Sequence, residues 1–317
     1  MNAMKRMLLM TMAASIVLVL AMPDTARAEF RHFGRDFSAL YVFGDSLSDP
    51  GNTYALRGEI TTAPYEPIPE FPYDSRRFSN GKTWVEILAK ETGNFRGARP
   101  AYRRPWFGNY AVAGARTPGT NDLKPTFGDQ VSDYLANVGG AADPDALYVV
   151  QFGGNDIRDA LEAGLAGKDP NAVLGEALGA LAYNIGVLSH AGARKFLIAN
   201  APNLGRVPVI TAIGASGPAE ALSIGYNAGL DGILAQLAAG GLEIYRLDLF
   251  NFVDAATQMP MGFGFADAMT PCLQVFTPPA TGVCDDPDQR LFWDGLHPTR
   301  AGHRIVGNIA VNVLSLD

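Results

Sequence analysis

The chain has 317 residues, 48% of them apolar and 18% charged, with a net charge of −7, four histidines and two cysteines. An acidic surface repels phosphate backbones, so charge gives no support to nucleic acid or an anionic membrane surface as a steady partner. Two cysteines with no nearby histidine fall short of a four-ligand zinc site, and no repeat, low-complexity tract or linker divides the chain.

Lys5 and Arg6 precede an apolar stretch from Met7 to Met22, and Ala26-Arg27-Ala28 supplies the small-x-small pattern that a signal peptidase reads. Residues 1–28 are therefore expected to be an export signal cleaved near Ala28, with the mature chain beginning at Glu29. The apolar run is shorter than the ~20 residues of a bilayer span. No cysteine near the cut offers a lipid anchor, and Lys-Arg is not a twin-arginine signal. The expected product is exported, periplasmic or extracellular, without a stable membrane anchor. Residues 29–317 have the length of one α/β domain.

Within that domain, strands and helices alternate. Ala39–Phe43, Ala146–Phe152, Lys195–Asn200 and Glu243–Asp248 are short apolar or β-branched runs ending at Gly, Asn, Asp or Pro, and they read as buried parallel strands. Asn109–Val112 is a weaker fifth. Helical periodicity covers Lys82–Thr92, Phe127–Asn137, Asn171–Ala191, Ala219–Ala239 and Thr299–Leu314. The alternation predicts a doubly wound α/β sheet whose site lies at the carboxyl ends of its strands. Residues 52–79, 94–108 and 258–288 are rich in Pro, Gly and aromatics without a sustained period, and are expected to fold over those strand ends. Their aromatics, Tyr65, Phe71, Tyr73, Trp106, Phe107, Phe263, Phe265 and Phe276, could hold an acyl chain, a cation or a sugar, or could be ordinary loop packing.

The first strand breaks into Gly44-Asp45-Ser46, which puts a hydroxyl where the chain must turn, with following amides able to face an anion. Ser46 is thus a candidate nucleophile, although Asp45 or Ser46 could equally cap a helix. Near the C-terminus, Asp294-Gly295-Leu296-His297 can bring a carboxylate to the imidazole Nδ1–H and leave Nε2 free to take a proton. His32 lies in an unpatterned segment, His190 in the last turn of a helix and His303 inside the final helix, which leaves His297 as the candidate base. Gly114, in a small-residue turn, and Asn155, after a buried strand, could donate to an oxyanion, or could be a plain turn glycine and a helix cap. Cys272 and Cys284 are close enough to pair in an oxidising compartment or to remain buried thiols, and neither has a catalytic part. The acidic run Asp285-Asp286-Pro287-Asp288 reads as a solvated loop or a weak calcium attractor.

Taken together, the blocks Phe43–Asn52, Asn109–Ala115, Gly153–Asp156 and Asp294–His297 resemble those of the GDSL family of SGNH hydrolases, which is named for Ser, Gly, Asn and His in that order. Residues Arg77–Trp84 resemble a segment of its plant-type and bacterial phospholipase/haemolysin-like members. The resemblance implies a three-layer α/β/α sandwich around a flavodoxin-like parallel sheet of about five strands. It implies Ser46 as nucleophile, His297 as base and acid, Asp294 as its orienting partner, and the Ser46 amide, Gly114 amide and Asn155 side chain as oxyanion donors. No cofactor or metal is implied. The Gly-x-Ser-x-Gly elbow of ordinary α/β-hydrolases is absent. The expected activity is hydrolysis of carboxylic esters of lipids or small acyl groups; acyl transfer to an alcohol, deacetylation of carbohydrate, or a secreted binding module without turnover are the alternatives.

Overall fold

Apolar runs bounded by turn residues become strands when both faces can be covered. In the computed structural model of the chain, which describes residues 37–57, 71–119, 124–274 and 282–315, four such runs form a parallel sheet. They are β1 (Leu40–Gly44), β2 (Leu147–Gln151), β3 (Lys195–Ala199) and β4 (Glu243–Leu247), adjacent in that order. The register is level: Gly44, Gln151, Ala199 and Leu247 stand side by side at the last rung. All four carboxyl ends therefore open onto one rim. Every residue of β2 is buried, whereas β4 buries only Tyr245 and Leu247, as an edge strand does.

The weak fifth candidate lies beside β1 on its free side. Tyr110 N donates to Val42 O at 2.7 Å and Val112 N to Gly44 O at 3.0 Å, yet only isolated bridges form, from Asn109 to Val42 on one side and to Pro100 on the other. Side-chain amides occupy the outer edge: Asn52 Nδ2 donates to Asn109 O and Ala111 O, each at 2.8 Å, and Asn109 Oδ1 accepts from Ala111 N at 2.9 Å. These bonds satisfy the groups that another strand would have paired. The sheet thus has four regular strands and one irregular margin, against an expectation of about five.

Among the described residues the helices are α1 (Asn52–Arg57), α2 (Trp84–Glu91), α3 (Phe127–Asn137), α4 (Gly154–Leu165), α5 (Pro170–Ala191), α6 (Pro208–Ala212), α7 (Ser216–Ala239), α8 (Leu249–Gln258) and α9 (Arg300–Ser315). α3, α4, α5 and α7 pack together, α2 packs on α9, and β4 touches α7 from one group and α9 from the other. The sheet lies between two helical layers, the expected α/β/α sandwich. α5 is long and apolar enough to cross a bilayer, but Leu174, Leu181, Ile185 and Leu188 on one of its faces are buried. Residues 36–317 cluster as one unit. The export signal expected at residues 1–28, and Glu29 after it, lie outside the described residues.

The loop 94–108 does not fold over the rim. Gly97 and Gly108 press on the first residue of β1: a Cβ on Gly97 would lie 2.6 Å from Leu40 Cβ, and one on Gly108 would lie 2.3 Å from Leu40 O. Only glycine permits that approach. The loop therefore seals the amino end of β1, opposite the rim.

Candidate active site

Ser46 stands two residues past the end of β1, in a turn that its neighbours tie down. Asp45 Oδ1 accepts from Leu47 N at 3.0 Å. Asp49, fully buried, accepts from Gly51 N at 2.7 Å, Asn52 N at 2.6 Å and Ala113 N at 3.1 Å. One carboxylate thereby caps α1 and fastens the Ser46 turn to the loop that carries Gly114. Burial raises the pKa of Asp49 and pushes Asp45 up to about 6, against the pull of their donors.

The Asp294–His297 turn docks onto this hydroxyl across 251 positions of chain: His297 Nε2 lies 2.9 Å from Ser46 Oγ. On its other side, His297 Nδ1 is 2.8 Å from Asp294 Oδ2 and 3.0 Å from Oδ1. A carboxylate only accepts, so Nδ1 carries the proton and Nε2 turns its lone pair to the serine. Asp294, 0% exposed, also accepts from Leu296 N and His297 N, each at 2.7 Å, and from the phenol of Tyr73 at 2.8 Å. Burial alone would raise its pKa, but the neighbouring His297 ring and the Leu296 and His297 amides prevail and hold it below the usual carboxylate range. Tyr73 is pushed the other way, by burial and then by the Asp294 charge.

The loop that carries Gly114 is tied down on both sides of the glycine. Gly114 has φ +78°, a conformation that suits glycine, and its carbonyl accepts from Arg116 Nη1 at 2.6 Å. Arg116 in turn makes a bidentate pair with Asp159 of α4, at 2.7 and 2.8 Å, and Thr117 N donates to Asp156 at 3.0 Å. These bonds fix the loop against the first turns of α4, where Asn155 sits. Asn155 Nδ2 spends one hydrogen on Ala115 O at 3.0 Å and keeps the other. Ser46, Gly114, Asn155 and His297 all line one cleft of about 290 Å³ at the sheet rim, with Asp294 buried behind His297.

Several residues of this site carry no signal in sequence. Tyr73 comes from an unpatterned loop 221 positions before Asp294. His303, set aside in sequence as a residue inside the final helix, is 2% exposed and lines the cleft. Its Nδ1 accepts from Trp84 N at 3.3 Å, and burial, reinforced by His297, drives its pKa down to about 3. It is therefore neutral, with its hydrogen on Nε2. Among the described residues, the aromatics lining the cleft are Phe78, Trp84, Phe252 and Phe292, and not Phe71, Tyr73, Trp106, Phe107, Phe263 or Phe265. Phe71 is 95% and Trp106 58% exposed, Phe265 is buried in the core, and Phe263 packs beside it on Phe252. Tyr65, Phe276 and His32 lie outside the described residues.

The described parts of the loop 258–288, residues 258–274 and 282–288, support the site from behind. Cys272 and Cys284 form a disulfide, and Cys272 N and Leu273 N donate to Phe292 O and Trp293 O, at 3.0 and 2.5 Å, just before Asp294. Asp288 is paired with Arg300 through two bonds of 2.8 Å. Among the described residues, no group of three His, Cys, Asp or Glu side chains is placed to hold a metal ion.

The model of the GDSL-like lipase/acylhydrolase family matches residues 40–310. An uncharacterized Pseudomonas putida protein from the trpE-trpG intergenic region is 30% identical over 307 residues, covering 88% of this chain and 49% of that protein; the chain spans about half the length of that relative. A GDSL esterase/lipase of Arabidopsis thaliana is 27% identical over 330 residues, covering 88% of this chain and 90% of its own. The solved extracellular lipase of Streptomyces rimosus is 19% identical with a TM-score of 0.43, over 88% of this chain and 99% of that one.

Proposed function

The chain belongs to the GDSL-like lipase/acylhydrolase family, and on that premise we propose that it hydrolyses carboxylic esters through Ser46, His297 and Asp294. The observation that carries the reading is the relay itself, with His297 Nε2 at 2.9 Å from Ser46 Oγ and Nδ1 at 2.8 Å from a buried carboxylate. His297 removes the hydroxyl proton as Ser46 Oγ attacks the ester carbonyl. The oxyanion that forms is met by the Ser46 and Gly114 amides and the free Nδ2–H of Asn155. His297 Nε2–H then protonates the leaving alkoxide, and water, activated by the same imidazole, releases the acid and restores Ser46. Asp294 holds the imidazole in the productive tautomer and stabilises its cation.

Leu204, Val207, Leu249, Phe252, Leu296 and Val306 give the cleft apolar lining that suits the hydrocarbon arm of such an ester. Export to the periplasm or medium is part of the proposal, supported by the N-terminal sequence pattern and by the disulfide. A fluorophosphonate probe should label the native protein at Ser46 with unit stoichiometry and leave Ser46→Ala unlabelled. A p-nitrophenyl ester series should be turned over by the native protein alone. An unlabelled native protein, inert toward every ester, would leave a binding module in place of an enzyme.

A further inference from the structure

Arg77–Trp84, one of the recognisable blocks of the sequence, supplies no atom to the relay, yet the stretch around it follows the chain from Asp294 into α9. Tyr73 donates to Asp294 Oδ2. The ring of Phe78 packs on that of His297, with centroids 5.2 Å apart. Ser79 Oγ donates to Pro298 O at 2.8 Å, and Asn80 Oδ1 accepts from Arg300 N at 2.7 Å. A Cβ on Gly81 would lie 2.6 Å from Arg300 Cβ, so glycine is what lets the two chains run this close. Residues 73–81 therefore form a strap along residues 294–300.

Trp84 carries the strap over to the serine. As the first residue of α2 it has an amide with no partner inside the helix, and that amide donates to His303 Nδ1, in the first turn of α9, at 3.3 Å. Its indole Nε1–H donates to Ser48 Oγ at 3.1 Å. Ser48 stands two residues past Ser46 in a turn closed by Ser48 N donating to Asp45 O at 3.1 Å. The Ser48 hydroxyl gives its own hydrogen to Gln151 Oε1 at 2.8 Å, which leaves its lone pairs to the indole. Trp84 is 1% exposed and Ser48 0%, so neither has water as an alternative partner. One side chain thus joins the turn that carries the nucleophile to the helix that begins just after the base.

Resting on the ester-hydrolase reading, we infer that Trp84 is a positioning residue of that reaction: through its bond to Ser48 it sets where Ser46 Oγ meets His297 Nε2, the contact of 2.9 Å, while the strap holds the base turn at the other end. A misplacement of about 1 Å at such a contact can cost on the order of 100-fold in rate. Ser48 is the cleaner place to test the bond, because Trp84 lines the cleft and Ser48 is not among its lining residues.

Kinetics on one p-nitrophenyl ester test this. S48A should lower kcat by about tenfold or more with KM within about twofold of the native value, and its crystal structure should show Nε2 and Oγ more than about 3.5 Å apart, out of hydrogen-bonding reach. Because S48A also removes the bond to Gln151, the variant is repeated in W84F: there it should cost less than about threefold, since the indole bond is already gone. V85A, which truncates a buried side chain of α2 outside the cleft, should lower Tm and leave kcat within about twofold. A native kcat in S48A, an S48A loss of equal size in both backgrounds, or a V85A loss as large as that of S48A would each overturn the inference. If S48A does not fold, W84F against V85A carries the same comparison, and equal losses refute it. Turnover by the native protein but not by S46A would in every such case leave the hydrolase reading standing.

Discussion

Replacing Tyr73 by Phe removes one hydroxyl and almost no volume, which isolates a single bond to the buried carboxylate behind His297. The phenol donates to Asp294 Oδ2 at 2.8 Å, while Leu296 N, His297 N and His297 Nδ1 continue to hold the same carboxylate. A hydrogen bond to a buried charged group contributes roughly 1.5–3 kcal/mol. In a chain of this size that corresponds to a fall in Tm of roughly 2–5 °C. The three remaining donors keep the carboxylate in place, so kcat should fall by less than about tenfold. Asp294→Asn, which disturbs the imidazole tautomer, should by contrast lose on the order of 10⁴. The pH dependence has a fixed sign. Asp294 is held below its ordinary range, so the stability it contributes is present above its unfolded value of about 4 and is lost as pH falls through the native one. The Tyr73→Phe deficit should accordingly be full at pH 7 and shrink in acid, as read by calorimetry from pH 3 to pH 8. A Tm unchanged at neutral pH would show that the bond contributes nothing, and a rate loss as large as that of Asp294→Asn would make Tyr73 a member of the relay.

Asn155→Ala should cut kcat on the order of 100 to 1,000-fold with little change in Tm, and wild-type turnover in that variant would remove Asn155 from the oxyanion site. Asp45 behaves oppositely to Asp294. With its pKa raised by burial to about 6, it stabilises the fold while protonated, and that contribution is lost as pH rises through 6. Asp45→Asn should therefore gain roughly 2–3 kcal/mol on the native protein between pH 4 and pH 7, and denaturant midpoints that keep a constant offset across that range would refute this. Opening the Cys272–Cys284 disulfide, by reductant or by the double serine variant, should cost about 3 kcal/mol by loop entropy. Because Cys272 and Leu273 hold the carbonyls just before Asp294, it should lower kcat as well; stability lost with no change in rate would uncouple the loop from the site.

How much can be read in the sequence depends on whether a residue's role is local. The four strands are legible because burial on both faces leaves uninterrupted apolar runs, as in Leu147–Gln151. Asp294 and His297 are legible as a pair because three residues separate them. Asn109–Val112 resembles a strand by composition, but its ladder depends on Asn52, whose amide reaches it only in the fold. Tyr73 and His303 escape sequence reasoning for the same kind of cause, since their partners are an Asp 221 positions away and the backbone of Trp84, 219 positions away. The loops mislead because lack of period marks irregular chain without saying which end of the sheet it covers: Asn94–Gly108 seals the amino end, and the disulfide loop supports the Asp294 turn from behind.

The Asp294–His297 turn is bonded largely to itself. Its carboxylate accepts from the amides of Leu296 and His297 as well as from the ring, so acid and imidazole form a cassette whose internal geometry needs no distant residue. Only its seating against the Ser46 turn depends on the remaining fold. Insertions between Asn155 and Asp294 can shift where the cassette lands but not how it is built, so tolerance to change in that long intervening stretch reduces to a single question of docking, measured as one distance from Nε2 to Oγ.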